Sequence, residues 1–272
     1  MDYSIILVIA LLFAFYMPIF SALADTWLID PYYSHGFIIP VVSLFILWKQ
    51  RKHYKQNDKD FMHGALLTAL GLAAYGYGIL NRSLYISSLS FLPVSAGIVL
   101  SFYGKKNLKR ALFPILFLIF MIPLPYADYA STYLQSFTAS SSTALIKMAG
   151  IPAENQGSQI SLGTESVFVI GEPCSGLRTM IALFALAAIF AYFIEGTVWK
   201  RYAIFVSAIP IAIVANILRV VLILFIAYYY GQETAMAFFH DASSLFLYLM
   251  AVILLIIISR FLGCKGVRNI SH

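Results

Sequence analysis

Charge is what this chain has least of: Asp, Glu, Lys and Arg make up 11% of its 272 residues, against a hydrophobic share of 61% and a mean hydropathy of +0.85. So few polar side chains cannot coat a water-soluble globule, and the composition defines a polytopic membrane protein with no separate soluble domain. Other features are missing as well. No internal repeat, low-complexity tract or phosphate-cradling glycine loop occurs, and the scattered glycines suit helix packing. There are two cysteines and five histidines. Cys174, His35 and His240 come from three separate stretches without the local spacing of metal ligands, so neither a metal nor another cofactor is expected.

What is present in abundance is apolar sequence. A span needs roughly 20 apolar residues to cross about 30 Å of hydrocarbon. Eight candidates meet or approach that length, at about 3–24, 35–48, 64–80, 84–103, 111–125, 174–194, 203–228 and 243–262, the second and fifth being short. The first has neither a basic leader nor an A-x-A-like cleavage site and is expected to be a retained span rather than a signal peptide. The expected fold is therefore all-α, about eight transmembrane helices forming one integral-membrane domain over residues 1–272.

Basic residues orient these spans, because Lys and Arg in short loops stay cytoplasmic. Most of the 18 fall in four groups: Lys49, Arg51, Lys52, Lys55 and Lys59; Lys105, Lys106, Lys109 and Arg110; Lys200 and Arg201; and Arg260, Lys265 and Arg268. The intervening loops carry Asp25, Asp30, Asp128, Glu154, Glu165, Glu172, Glu233 and Asp241 and only two cations, Arg82 and Lys147. Both termini are thus expected in the cytoplasm. The net charge of +6 and pI near 9.2 follow from this dispersal over four cytoplasmic edges, which gives no footprint for nucleic acid.

One extracytoplasmic region, about 126–173, is long enough for structure of its own. Tyr126, Tyr129, Tyr133, Phe137, Ala144 and Met148 recur mostly every three or four residues opposite Ser and Thr, predicting a helix at the membrane interface. Gln159–Leu162 and Ser166–Ile170, separated by Gly163 and Thr164, predict a short β-hairpin before the sixth span, leading into Cys174.

Three residues that membranes tolerate poorly then fall on the outer side. Cys174 follows Pro173, a residue suited to a helix start, where free N–H groups favour a thiolate. Arg178 lies one turn deeper on the same face. Arg219 sits 16 residues beyond Ala203, about 24 Å up a helix, a depth similar to that of Arg178; Asn216, at i−3, shares its face. His240 lies between the last two spans. A thiol, a guanidinium and an imidazole are the nucleophile, anion stabiliser and acid/base of a cysteine acyl-transfer site. Each also has a plainer reading: packing for Cys174, snorkelling for Arg219, an interfacial ring for His240. Cys264, beside Lys265 at the cytoplasmic end, keeps the plain reading, and opposite sides of the bilayer preclude a disulfide between the two cysteines.

The segments YSHGFIIP (Tyr33 to Pro40), FMIPLP (Phe120 to Pro125), PCSGLR (Pro173 to Arg178), ANILRVV (Ala215 to Val221) and FFHD (Phe238 to Asp241) resemble, in order, the motifs of the exosortase/archaeosortase family of membrane cysteine transpeptidases. The resemblance runs from about residue 33 to 245. It implies a multi-pass enzyme of the plasma (inner) membrane whose site faces outward. The partners implied are exported proteins ending in a Pro-containing motif, a transmembrane helix and a basic tail, cleaved near the motif and transferred to a surface acceptor. By motif position Cys174 is the nucleophile, Arg219 the family arginine and His240 the family histidine, as in bacterial members; Arg178, Asn216 and His35 are supporting residues. After the histidine a glycine is expected, where this chain has Ala242, Ser243 and Ser244. The chain is expected to lack the additional C-terminal domain of some members. Water as acceptor makes a protease, and an amine-bearing lipid or glycan precursor makes a transpeptidase. The competing classes are a transporter or lipid-translocating protein, for which no two-fold repeat of spans is found, and a structural component of a polysaccharide export system.

Overall fold

The computed structural model describes residues 3–54, 59–163, 166–169, 177–241, 243–264 and 266, without the side chains of residues 4, 5, 31, 128, 166–169, 238–241 and 243–246. The chain divides into two compact units, Met1–Pro125 and Tyr126–Arg268. It is mainly helical. Among the described residues four stretches are long and apolar enough to cross a membrane: Ile6–Ile29, Phe61–Leu80, Leu84–Met121 and Val198–Tyr230; Leu177–Phe193 and Leu247–Phe261 are shorter apolar helices.

In the first unit α1 (Tyr3–Ile29) leads into a 3-10 helix at Pro31–Phe37, then α2 (Ile38–Gln50), α3 (Phe61–Leu80), α4 (Leu84–Leu89) and α5 (Phe91–Phe117). The segment expected at 35–48 thus starts in the end of the 3-10 helix and continues as a 13-residue α-helix from Ile38. Asp30 starts the turn: its carboxylate accepts from the Tyr32 N–H at 2.8 Å, satisfying one of the donors a helix start leaves open.

A second departure concerns the cations Lys105, Lys106, Lys109 and Arg110, expected in a loop between two spans. They are helical. The Leu84–Met121 stretch of 38 residues would measure about 57 Å if straight, nearly twice the hydrocarbon thickness. It is broken at Gly104, whose φ of 78° and ψ of 176° are open only to glycine. The chain therefore turns on one residue, with helix on both sides, and no connecting loop is needed.

Glycine also decides how α3 pairs with α4 and α5. Gly64, Gly71 and Gly78, seven residues apart, are the buried positions of α3. A Cβ added at each would stand 2.6 Å from the backbone nitrogen of Ser101, 2.9 Å from that of Val94 and 2.6 Å from that of Ser87. The partners descend as the glycines ascend, so the helices are antiparallel and touch backbone to backbone, as small residues permit in membranes.

The second unit contains α6 (Ala127–Met148), strands β1 (Ala153–Gln156), β2 (Gln159–Leu162) and β3 (Ser166–Val169), then α7 (Leu177–Phe193), α8 (Val198–Tyr230), α9 (Gln232–Asp241) and α10 (Ser243–Phe261). The sheet has three antiparallel strands in the order β1-β2-β3, with Leu162 opposite Ser166 and Ala153 opposite Leu162. β1 was not expected from the sequence. Its residues Glu154, Asn155 and Gln156 carry no apolar alternation, and only Ala153 is buried.

Candidate active site

The second unit is built around α8. The inner face of the sheet, Ala153, Ile160 and Leu162, packs with Ala139 and Ile146 of α6 against Val220 and Leu224. α6 presents its hydroxyl-bearing face to α8. Thr138 and Ser142 are buried, the Asn216 amide donates to Thr138 Oγ1 at 3.2 Å, and Ser142 Oγ donates to the Ile217 carbonyl at 3.4 Å. The aromatic ridge of α6 points the other way: Tyr126, Tyr129 and Tyr133 are each at least 70% exposed. Polar inward and aromatic outward is the polarity expected of a helix whose outer face meets lipid rather than water.

Direction along the bundle is set at its other end. A Cβ on Gly196, in the α7–α8 turn, would stand 3.0 Å from Cys264 Sγ, and the Glu195 N–H donates to the Gly266 carbonyl at 3.0 Å. The C-terminal end of α10 therefore lies against the start of α8. The core between them holds Leu183, Ala187 and Ala191 of α7, Ile204, Ala208 and Ala212 of α8, and Ala251 and Leu255 of α10. Both α7 and α10 accordingly run antiparallel to α8. The N-terminal turn of α7, the later half of α8 and the N-terminal half of α10 share the opposite end.

Arg219 lies in that half of α8, 3% exposed. Arg178, in the first turn of α7, is exposed. The phenol of Tyr248 on α10 interacts electrostatically with both guanidiniums. Two arginines from different helices thus share one neighbour, a cationic cluster at the edge of an otherwise apolar bundle. Tyr248 was not anticipated, because a tyrosine inside LFLYLMAV reads as an ordinary interfacial aromatic. The hydroxyl face of α6 was visible in the sequence, but its inward direction was not.

Of the other site residues, Asn216 is buried one turn from Arg219 and bonded as above. His240 belongs to α9, which begins directly after the Gly231 turn and packs on α8 and α10; its side chain lies outside the described set. Cys174 also lies outside the described residues, in the link 170–176 joining β3 to α7. The expected helix start at Pro173 falls in the same link. His35 belongs to the first unit, half-buried in the 3-10 helix with its ring stacked on Tyr33 at 6.3 Å. There the Leu124 N–H donates to the Tyr33 hydroxyl at 2.7 Å and Trp27 Nε1 donates to the Met121 carbonyl at 2.8 Å, so the first two sequence motifs meet. Among the described residues no group of three His, Cys, Asp or Glu is placed to hold a metal.

A bundle of apolar helices with arginines set into it is the architecture of an integral-membrane protein, and here the polar cluster marks its candidate site. The sequence matches the family model of transmembrane exosortases over residues 27–257. The chain belongs to that family. No curated protein and no solved structure matches it.

Proposed function

We propose that this exosortase-family protein is a membrane-embedded cysteine peptidase acting as a transpeptidase. Its substrates are exported proteins that end in a short Pro-containing motif, a hydrophobic span and a basic tail. The Cys174 thiolate attacks the scissile carbonyl carbon, forming the C–S bond as the carbonyl electron pair moves onto oxygen. Arg219, supported by Arg178, stabilises that oxyanion. Collapse breaks the C–N bond, and His240 delivers a proton to the departing amine, leaving a thioester. An amine of a lipid or glycan precursor, or water, then attacks the thioester while His240 takes up its proton, and the thiolate is released. No cofactor is needed for this sequence of steps.

One observation carries the reading: a guanidinium buried in the apolar α8 shares the neighbourhood of Tyr248 with a second guanidinium four residues after Cys174. A buried arginine is costly in a membrane and is retained where an anion forms or binds. Supporting context comes from the helices that flank the cluster, since α7 follows the link bearing Cys174 and α9 bears His240. In the same reading the chain crosses the plasma (inner) membrane eight times with both termini in the cytoplasm and this cluster on the outer side. The test is direct. Replacement of Cys174 by Ala at matched expression is expected to abolish conversion of the exported substrates to their processed form. Undiminished conversion would remove the cysteine mechanism.

A further inference from the structure

We propose that Tyr248 is a third donor of the oxyanion site, its phenol O–H sharing with Arg219 and Arg178 the negative charge that develops on the scissile carbonyl oxygen. The inference rests on the acyl-transfer reading and adds to it a residue that no sequence motif includes. The geometry comes from the helix ends. With the α7–α8 turn and the end of α10 fastened together at Gly196 and Cys264, depth along each helix is counted from one common level at about 1.5 Å per residue. Arg178 then lies about 24 Å above Ile194, Tyr248 about 23 Å above Gly263 and Arg219 about 28 Å above Lys200. Three helices thus bring three hydrogen-bond donors to within about one helical turn of a common level.

Tyr248 also faces the right way. Leu247, Ala251 and Leu255 form the buried stripe of α10, and Ala251 packs in the core that holds Ala212 of α8. Tyr248 is one turn from Ala251 toward the end where α8 carries Asn216 and Arg219, and its ring is half-buried. A phenol in that position has two properties a third arginine lacks. It adds no positive charge to a membrane-embedded cluster, and its O–H can rotate to donate to an anion without the cost of burying another ion. Two guanidiniums already in place disfavour any further cation and favour a neutral donor.

The experiment compares Tyr248→Phe, Arg219→Lys and the double variant in full-length protein in membranes, reading the ratio of processed to unprocessed substrate at matched enzyme level. Phe keeps the ring and its packing and removes only the O–H. Tyr248→Phe is expected to cut processing about 10- to 10²-fold, a lost oxyanion donor costing up to about 10²–10³, while the rate at which an impermeant maleimide labels Cys174 stays within about twofold. Donors to one oxyanion are not independent, so the double variant is expected to lose clearly less than the product of the two single losses. Wild-type processing by Tyr248→Phe overturns the proposal. So does a fully multiplicative double variant, which would place the phenol on a different step, and so does a large fall in Cys174 labelling, which would make Tyr248 a packing residue. Cys174→Ala reports separately: intact processing there ends the cysteine mechanism, while the coupling between Tyr248 and Arg219 still decides whether the two share one anion.

Discussion

Arg219 is the residue on which the candidate site turns, and its burial has a chemical consequence. Lysine carries the same charge on a flexible stem and serves as well for anchoring to headgroups, but it cannot reproduce a planar fork aimed at one oxygen. Arg219→Lys is therefore expected to insert and fold normally while cutting processing by roughly 10²-fold or more, measured as processed against unprocessed substrate at equal enzyme level; near wild-type processing would return Arg219 to an anchoring role. His240→Ala is expected to slow the same conversion by about 10²–10⁴-fold, the span of a general acid/base, with membrane insertion unchanged. Both positions stand out in the sequence because a cation within an apolar run is expensive. Tyr248 does not, since a half-buried aromatic is ordinary in such a run and only the packing of α10 against α7 and α8 gives it company.

At the scale of elements, the pairing of α3 with α4 and α5 depends on the absence of side chains at three glycines. Gly71→Leu places atoms where the Val94 backbone already stands, and overpacking of this kind costs about 1–3 kcal/mol. The variant is expected to unfold at lower temperature in detergent than the wild type. Gly76→Ala on the same helix, where a Cβ meets nothing within 4 Å, is expected to be neutral or slightly stabilising. The start of α3 adds a pH dependence. Asp60 caps that helix, bonded to His63 at 2.7 Å and to Lys105, just past the Gly104 break, at 2.9 Å. The hydrogen bond from His63 first, and that from Lys105 next, hold its carboxyl down at about 2. Because the folded value lies below the ordinary 3.8, the contribution is complete above that value and is lost as pH falls through about 2. Asp60→Ala should thus unfold more easily than the wild type at pH 5, with the difference vanishing toward pH 2 in a thermal series. A difference that persisted at pH 2 would assign the effect to something other than the carboxylate.

For the whole molecule the decisive measurement is sidedness. Cys264 is buried against the α7–α8 turn, so its silence toward an impermeant maleimide reports packing as much as location. Exposed positions report location alone: in a cysteine-free background (Cys174→Ala with Cys264→Ser), Lys147→Cys is expected to label in intact cells and Lys106→Cys only after permeabilisation, and labelling of both without permeabilisation would overturn the orientation. The class of protein and the identity of its rare polar residues were legible in the sequence by itself. Hydrophobic excess, charge asymmetry between loops and the five ordered motifs are properties of composition and order, which survive without coordinates. The helix of α6 and the residues that pair between β2 and β3 were legible too, because each carries its own periodicity. Tertiary structure alone decided the rest. It turned the chain at Gly104 where charge suggested a loop, added the polar strand β1 by pairing it to β2, aimed the hydroxyls of α6 at α8, and brought Tyr248 to two arginines distant from it in the chain. The Gly104 turn rests on one backbone conformation and β1 on a partner strand, since it has no alternation of its own; for α6 and Tyr248 the physical reason is that a periodicity states that a segment has two faces, whereas the partner that each face meets is settled only by which helices pack together.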